Sequence, residues 1–233
     1  MPSQLELINR VYFESRVKLL EDEVFKLLKS YGIPVVPYEV ARTVDDIKVS
    51  AEKIGFPLVI KVISPDIIHK TDIGGVKLNI WSVDEAVKSA NDMISEIKTK
   101  FPKARITGFL LQPMMPKGVE VIIGGIHDAV FGSVVMFGAG GIFVEVFRDV
   151  SFRVAPLSVD EALEMIEEIR TSPILNGYRT QPPVNKHSIA EIIVAVGKML
   201  EDYPEIESMD LNPVFAYPNG AYVIDGRIIL RKK

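Results

Sequence analysis

Apolar residues along this chain recur at two alternating periods. Leu19, Leu20, Glu23, Val24, Leu27 and Leu28 suit one amphipathic helix, and Gly32 followed by Ile33 and Pro34 ends it. The first 18 residues read as a further helix or an arm. Thr43-Val-Asp-Asp46, Ser82-Val-Asp-Glu85 and Ser158-Val-Asp-Glu161 each carry a capping signature and predict helix starts. The first of these helices is predicted to stop at Gly55-Phe56-Pro57, and a long helix is predicted from about Ser188 to Tyr203. Extended, β-branched runs cover Leu58 to Ile63, Val76 to Ile80, Arg105 to Gln112, Val119 to Ile126, Ser133 to Phe137 and Phe143 to Phe147. The chain closes on a predicted hairpin, Ile206 to Phe215 and Ala221 to Leu230, joined by Pro218-Asn219-Gly220, with Asn-Gly as the two-residue turn signal. Helical and extended segments alternate along nearly the whole chain, so the expected class is α/β, built from α+β lobes. Between Asp45 and Gln112 the order helix, strand, turn, strand, helix, strand describes a compact unit, and Pro113 and Pro116 after it read as a hinge between two lobes.

Composition narrows the picture. With 48% hydrophobic and 25% charged residues in 233, the sequence describes a soluble globular protein and excludes disorder and collagen-like architecture. The longest uncharged stretch, Ala129 to Val144, falls short of a membrane helix and is interrupted by glycines. No secretory signal is visible at the N-terminus. The absence of cysteine excludes disulfides, thiolate metal sites and cysteine nucleophiles, and agrees with a cytoplasmic location. A net charge of -4 offers no global attraction to nucleic acid or to a membrane, so neither is expected as a partner.

Two stretches carry candidate chemistry. In the terminal hairpin the period of two puts Asp210 and Asn212 on one face, with Met209 and Leu211 on the other. With Asn219 and Gly220 as the turn centre, Asp225 opposes Val214 and lies diagonal to Asn212, so the two side chains can reach a common ion. Oxygen ligands of this kind suit magnesium. The same residues also suit a solvated strand face, and Pro213 marks a possible bulge in the register; spacing alone leaves these readings open. The second stretch begins at Leu58-Val-Ile-Lys61-Val-Ile, where a lysine interrupts an apolar strand and must either reach solvent or meet an anion such as a phosphate. A polar loop from Ser64 to Lys77 follows, with Lys70, Thr71, Gly74 and Gly75. It could cradle a triphosphate, or serve as an ordinary hairpin connection, and it lacks the order of a Walker A loop.

These pieces together resemble the ATP-grasp β subunits of ADP-forming acetyl-CoA synthetases, relatives of the succinyl-CoA synthetase β subunit. The resemblance runs from Leu19 to the C-terminus. It rests on Lys-Val-Ile-Ser-Pro-Asp-Ile-Ile-His-Lys-Thr-Asp-Ile-Gly-Gly-Val from Lys61, Gly-Ala-Gly-Gly-Ile-Phe-Val-Glu from Gly138, Asp-Leu-Asn-Pro from Asp210 and Val-Ile-Asp-Gly-Arg ending at Arg227. It implies an ATP-grasp fold with a smaller lobe of about residues 35–111 and a larger lobe of about 19–34 plus 112–233, with ATP or ADP bound between the lobes.

Residue by residue, the resemblance gives Lys61 to the phosphates, with Lys70, Gly74 and Gly75 in the phosphate loop. Gln112, Met114 and Met115 fall at the adenine hinge, although many relatives carry Glu where this chain has Gln-Pro. Glu120 falls at the ribose-binding offset, and Asn212 and Asp225 at the Mg2+ ligands. It makes His69 the phosphoryl acceptor and Asp210 the acid that steadies a phosphohistidine. A neutral imidazole is a competent acceptor near neutral pH; read without the family, His69 equally suits a surface side chain. The implied activity is acetate-CoA ligase (ADP-forming): acyl-CoA, ADP and phosphate interconvert with free acid, coenzyme A and ATP. The implied partner is an α subunit bearing the coenzyme A and acyl-phosphate sites, in an α2β2 heterotetramer. Two rivals are a nucleotide-binding regulatory subunit without catalysis and the ATP-grasp part of a protein acetyltransferase system. The glycines from Gly138 to Gly141 read equally as an approach to phosphate or as a plain turn.

Overall fold

The computed structural model describes residues 4–67, 70, 73–141, 148–177 and 182–232. In chain order its elements are α1 (Gln4–Phe13), α2 (Glu21–Ser30), β1 (Glu39–Ala41), α3 (Asp46–Ile54), β2 (Leu58–Ile63), β3 (Val76–Ile80), α4 (Val83–Lys100), β4 (Gly108–Pro113), β5 (Val119–Asp128), β6 (Gly132–Ala139) and β7 (Val150–Val154). There follow α5 (Val159–Glu168), the short α6 (Ser172–Leu175), α7 (Lys186–Asp202), β8 (Ile206–Tyr217), β9 (Gly220–Val223) and β10 (Gly226–Leu230). The chain divides into two units. One comprises Leu20–Asp22 and Val36–Pro116, the other Met1–Leu19, Glu23–Val35 and Lys117–Lys233. Among the described residues no helix is long and apolar enough to cross a membrane.

The smaller unit is an antiparallel sheet in the order β1-β4-β2-β3. Strand alternation divides β2 cleanly. Leu58, Ile60 and Val62 enter a core with Ile47 and Ala51 of α3 and Ala86, Ala90, Met93 and Ile97 of α4, which leaves Val59, Lys61 and Ile63 on the other face. Leu110 and Gln112 of β4 pair with Lys61 and Val59 and so share that second face.

The larger unit is a six-stranded antiparallel sheet in the order β10-β8-β5-β6-β7, with β9 paired to β8. Helix α7 packs on β5 and β6 and is buried along Ile189, Ile192, Ile193, Val196 and Leu200. Gly125 on β5 admits this helix: a Cβ there would lie 2.6 Å from the Leu200 side chain. Its register partner is Met209, and Ile123 pairs with Leu211, so the helix side of the sheet carries Met209 and Leu211. Asp210 stands on the opposite face.

Capping chemistry at the three helix starts follows the sequence. Ser158 and Glu161 form a reciprocal box, and Ser82 accepts from the Glu85 amide. The Thr43 hydroxyl accepts from the Asp46 N-H at 3.3 Å while the Asp46 carboxylate accepts from the Thr43 N-H at 2.9 Å. Residues 44–45 are a turn, however, so regular helix begins at Asp46 rather than at Thr43.

The strand expected from Arg105 begins instead at Gly108, because Arg105 turns aside to the Asp66 carboxylate with its backbone N-H, Nε and Nη2 at 2.8 to 3.0 Å. Gly108 has φ +148, and a Cβ there would lie 2.5 Å from the Ala41 carbonyl oxygen. Neither β1 nor β7 was expected from the pattern. The run from Phe143 to Phe147 lies outside the described residues.

The terminal hairpin departs from expectation at its turn. Tyr217 pairs with Gly220 and Ala216 with Ala221, so the two turn residues are Pro218 and Asn219 rather than Asn219 and Gly220. Proline's fixed φ suits the first central position of a turn. The slip moves each pairing by two positions and therefore preserves which residues share a face. Its consequence for the polar residues is described below.

Removing the Ser158 hydroxyl tests the reading of the cap. Ser158→Ala is expected to lower stability by about 1 kcal/mol, seen as a lower urea midpoint at unchanged m-value.

Candidate active site

Lys61 sits in the middle of β2 with 5% of its surface exposed. Its ammonium donates to Glu21 Oε1 at 2.8 Å, and Lys70 Nζ contacts the other carboxylate oxygen, Oε2. Glu21 is the first residue of α2, and its side chain is 1% exposed. Burial favours the protonated acid, but the two ammonium groups outweigh it and hold the Glu21 carboxyl well below the usual carboxylate range. One anion thus joins a lysine fixed on a strand to a lysine carried by the loop.

The glycines of that loop have separate structural duties. Gly74 adopts φ +74, and a Cβ on Gly75 would lie 2.9 Å from both the Lys70 carbonyl oxygen and the Val62 side chain. Gly75 donates its N-H to the Lys70 carbonyl at 2.7 Å, and its own carbonyl accepts from the Val62 N-H at 2.9 Å. The loop is therefore tied back to β2 through main chain at the residue that carries the second lysine. His69 and Thr71 lie outside the described residues.

At the end of β4, Gln112 is buried and Met114 and Met115 are half-buried. The Met114 N-H donates to the Pro57 carbonyl at 2.8 Å. The Met114 N-H is thus already engaged within the chain.

In the larger unit Asn212 and Asp225 face each other directly. The slipped turn register carries through the pair, and the Asn212 N-H donates to the Asp225 carbonyl at 3.1 Å. The diagonal relation expected from an Asn219-Gly220 turn is corrected to a direct one. Against β5, the register of β8 shifts between Val121 opposite Val214 and Ile123 opposite Leu211, so residues 212 and 213 together oppose one residue. This is a β-bulge, a device that re-aims a side chain. Asn212 is exposed, and Asp225 Oδ1 accepts from the Gly226 N-H at 2.8 Å. An amide oxygen and a carboxylate form a hard-oxygen pair that fits magnesium completed by phosphate and water oxygens. Among the described residues no cluster of three or more His, Asp and Glu side chains could hold an ion unaided.

The neighbouring register pair is Asp210 with Arg227, whose Nη2 lies 3.5 Å from Asp210 Oδ2. Burial raises the Asp210 carboxyl above its ordinary value and Arg227 partly offsets this. Arg227 stands in the sequence as the end of a motif, and its pairing with Asp210 follows from the hairpin register.

Glu120, near the start of β5, borders a cavity of about 430 Å³ with Gly140, Gly141, Ile169, Thr171 and Leu175. The Gly140 N-H donates to the Glu120 carbonyl at 2.8 Å, and a Cβ on Gly140 would lie 2.8 Å from the Glu120 carbonyl carbon. Gly140 thus lets one backbone press on another beneath Glu120, whereas Gly138 makes room for the Val150 side chain and the Asp149 carbonyl. Thr171 of that lining is held by the Asp149 carboxylate, which accepts from the Arg170 and Thr171 N-H groups at 2.8 Å and from the Thr171 hydroxyl at 2.5 Å. Of the interface and structural readings that the sequence allows for Asp149, these bonds fit the structural one.

The ATP-grasp domain family matches residues 10–230, and the chain belongs to that family. It is 46% identical to the acetate-CoA ligase (ADP-forming) I subunit beta of Pyrococcus furiosus, over 97% of each chain. It is 42% identical to the II subunit beta of the same organism, over 97% of this chain and 98% of that one. Among solved structures, the dinucleotide forming acetyl-coenzyme A synthetase 1 of Candidatus Korarchaeum cryptofilum, in complex with coenzyme A and Ca-AMPCP, superposes with a TM-score of 0.95 at 44% identity, covering 98% of this chain and 100% of that one. Another structure of that protein holds Mg-AMPPCP, with its phosphohistidine segment pointing towards the nucleotide binding site. Within the ATP-grasp family the chain therefore falls with the β subunits of ADP-forming acetate-CoA ligases.

Two outcomes follow from the geometry. A group whose pKa is depressed on folding contributes stability that is present above its unfolded value and lost as pH falls below it. Acid unfolding of the intact chain should accordingly steepen below the ordinary glutamate pKa, and Glu21→Gln should flatten that part of the stability-against-pH curve. Gly140→Ala must displace backbone rather than a flexible side chain, with an expected loss of about 1–3 kcal/mol in urea unfolding.

Proposed function

We propose that this chain is the nucleotide-binding β subunit of an ADP-forming acyl-CoA synthetase, carrying out reversible phosphoryl transfer between ATP or ADP and a phosphohistidine relay. The observation that carries the reading is the hairpin register, which sets Asn212 against Asp225 at a bulge with Asp210 and Arg227 as the next pair. End-to-end similarity to β subunits, and the nucleotide held by the solved relative, support it.

Each residue then has a task. Lys61 positions the transferring phosphate, with Lys70 and the main chain at Gly74 and Gly75 beside it. Gln112, the Met114 carbonyl and Met115 recognise adenine, and Glu120 takes the ribose hydroxyls. Asn212 and Asp225 hold Mg2+, which when bound neutralises charge on the β- and γ-phosphates. An imidazole nitrogen of His69 attacks the γ-phosphorus in line; the new N-P bond forms as the bond to the β-phosphate oxygen breaks, and ADP leaves. Run backwards, ADP takes the phosphoryl group from His69 and ATP forms. Asp210, paired to Arg227, steadies a phosphohistidine. The coenzyme A and acyl-phosphate steps belong to an α partner in an α2β2 assembly.

Incubating the chain alone with γ-labelled ATP and Mg2+ tests the acceptor. Acid-labile label is expected on the wild type and absent from His69→Ala. Equal labelling of both would remove His69 from this role.

A further inference from the structure

Glu21 has no part in the scheme above, yet its carboxylate is almost wholly buried against the lysines that scheme uses. We propose that Glu21 is a positioning residue that yokes Lys61 to Lys70 and tempers their joint attraction for nucleotide phosphate, so that the nucleotide is released as readily as it is bound. This rests on the assignment of Lys61 to the phosphates.

Charge counting carries the argument. Glu21 offers one oxygen to each ammonium, Oε1 to Lys61 at 2.8 Å and Oε2 to Lys70. The trio therefore keeps one net positive charge, where the lysines alone would present two. The adjacent acid does not add to the balance, because Asp22 Oδ2 is already engaged by Arg42 Nη2 at 2.8 Å.

A stability role alone explains this poorly. Buried ion pairs seldom improve on apolar residues of the same volume, and β2 is apolar at its five other positions. What the carboxylate supplies is geometry and charge. It holds a loop lysine against a strand lysine, and it offsets half of an attraction that would otherwise slow departure of a polyphosphate. Its place in the first turn of α2 favours a negative charge as well.

The proposal makes stability and affinity move in opposite directions, which a merely structural residue would not do. Titrating Mg-ADP calorimetrically into the full chain, Glu21→Gln should bind several-fold more tightly than wild type while its unliganded unfolding temperature falls. In turnover with the partner subunit, KM for ADP and kcat should fall together. A second comparison stands even where Glu21→Gln alone folds poorly. In Lys70→Gln the carboxylate fully offsets Lys61, so Glu21→Gln/Lys70→Gln should bind Mg-ADP more tightly than Lys70→Gln. Affinity that is unchanged or weaker in these comparisons would overturn the proposal. Lys61→Ala separates the two readings: wild-type affinity in that variant removes Lys61 from the phosphates, whereas lost affinity there, with the charge comparisons failing, overturns the role of Glu21 alone.

Discussion

A lysine inside an apolar strand cannot be left without an anion. Lys61 occupies the middle of a strand with no other polar residue, on the sheet face away from the helical core, and the fold answers it with a glutamate that is itself almost wholly buried. Three local features hold that pair in place. The first turn of α2 brings in the acid, the loop after β2 brings in a second lysine, and Gly75 links that lysine to β2, its N-H bonded to the Lys70 carbonyl and its carbonyl to the Val62 N-H. An ammonium so held is a fixed charge with little rotamer freedom left to lose.

The larger unit applies the same economy to oxygen ligands. Hairpin register alone sets Asn212 opposite Asp225 and Asp210 opposite Arg227, and the bulge at residues 212 and 213 turns the strand where Asn212 falls. One amide and one carboxylate suit an ion that arrives with a nucleotide rather than one resident in a protein cage. Beneath Glu120, close backbone approach at Gly140 sets the height of a cavity wall.

The sequence disclosed these features unevenly, for physical reasons. Period-two alternation exposed Lys61 as an anomaly and put Asn212 and Asp225 on one face; a two-position slip in the turn left that inference intact because strand faces repeat every two residues. Glu21 was illegible. It lies forty residues from Lys61, within an acidic triplet that reads as a solvated helix start, and only tertiary contact shows Glu21 on Lys61, Asp22 on Arg42 and Glu23 on Arg16. The purpose of Gly140 was hidden in the same way, since its partner Glu120 lies twenty residues away on β5. Thr43 signalled its cap correctly, while the irregular turn after it delayed the helix. The role of His69 comes from resemblance, and no periodicity could have supplied it.

The central claim is that the buried lysine answers to phosphate. Comparing adenosine, AMP and ADP as ligands of the wild-type chain in Mg2+ tests it most directly. The account predicts that affinity climbs steeply with each phosphate and that added salt erodes most of the gain. Adenosine binding as tightly as ADP would contradict it.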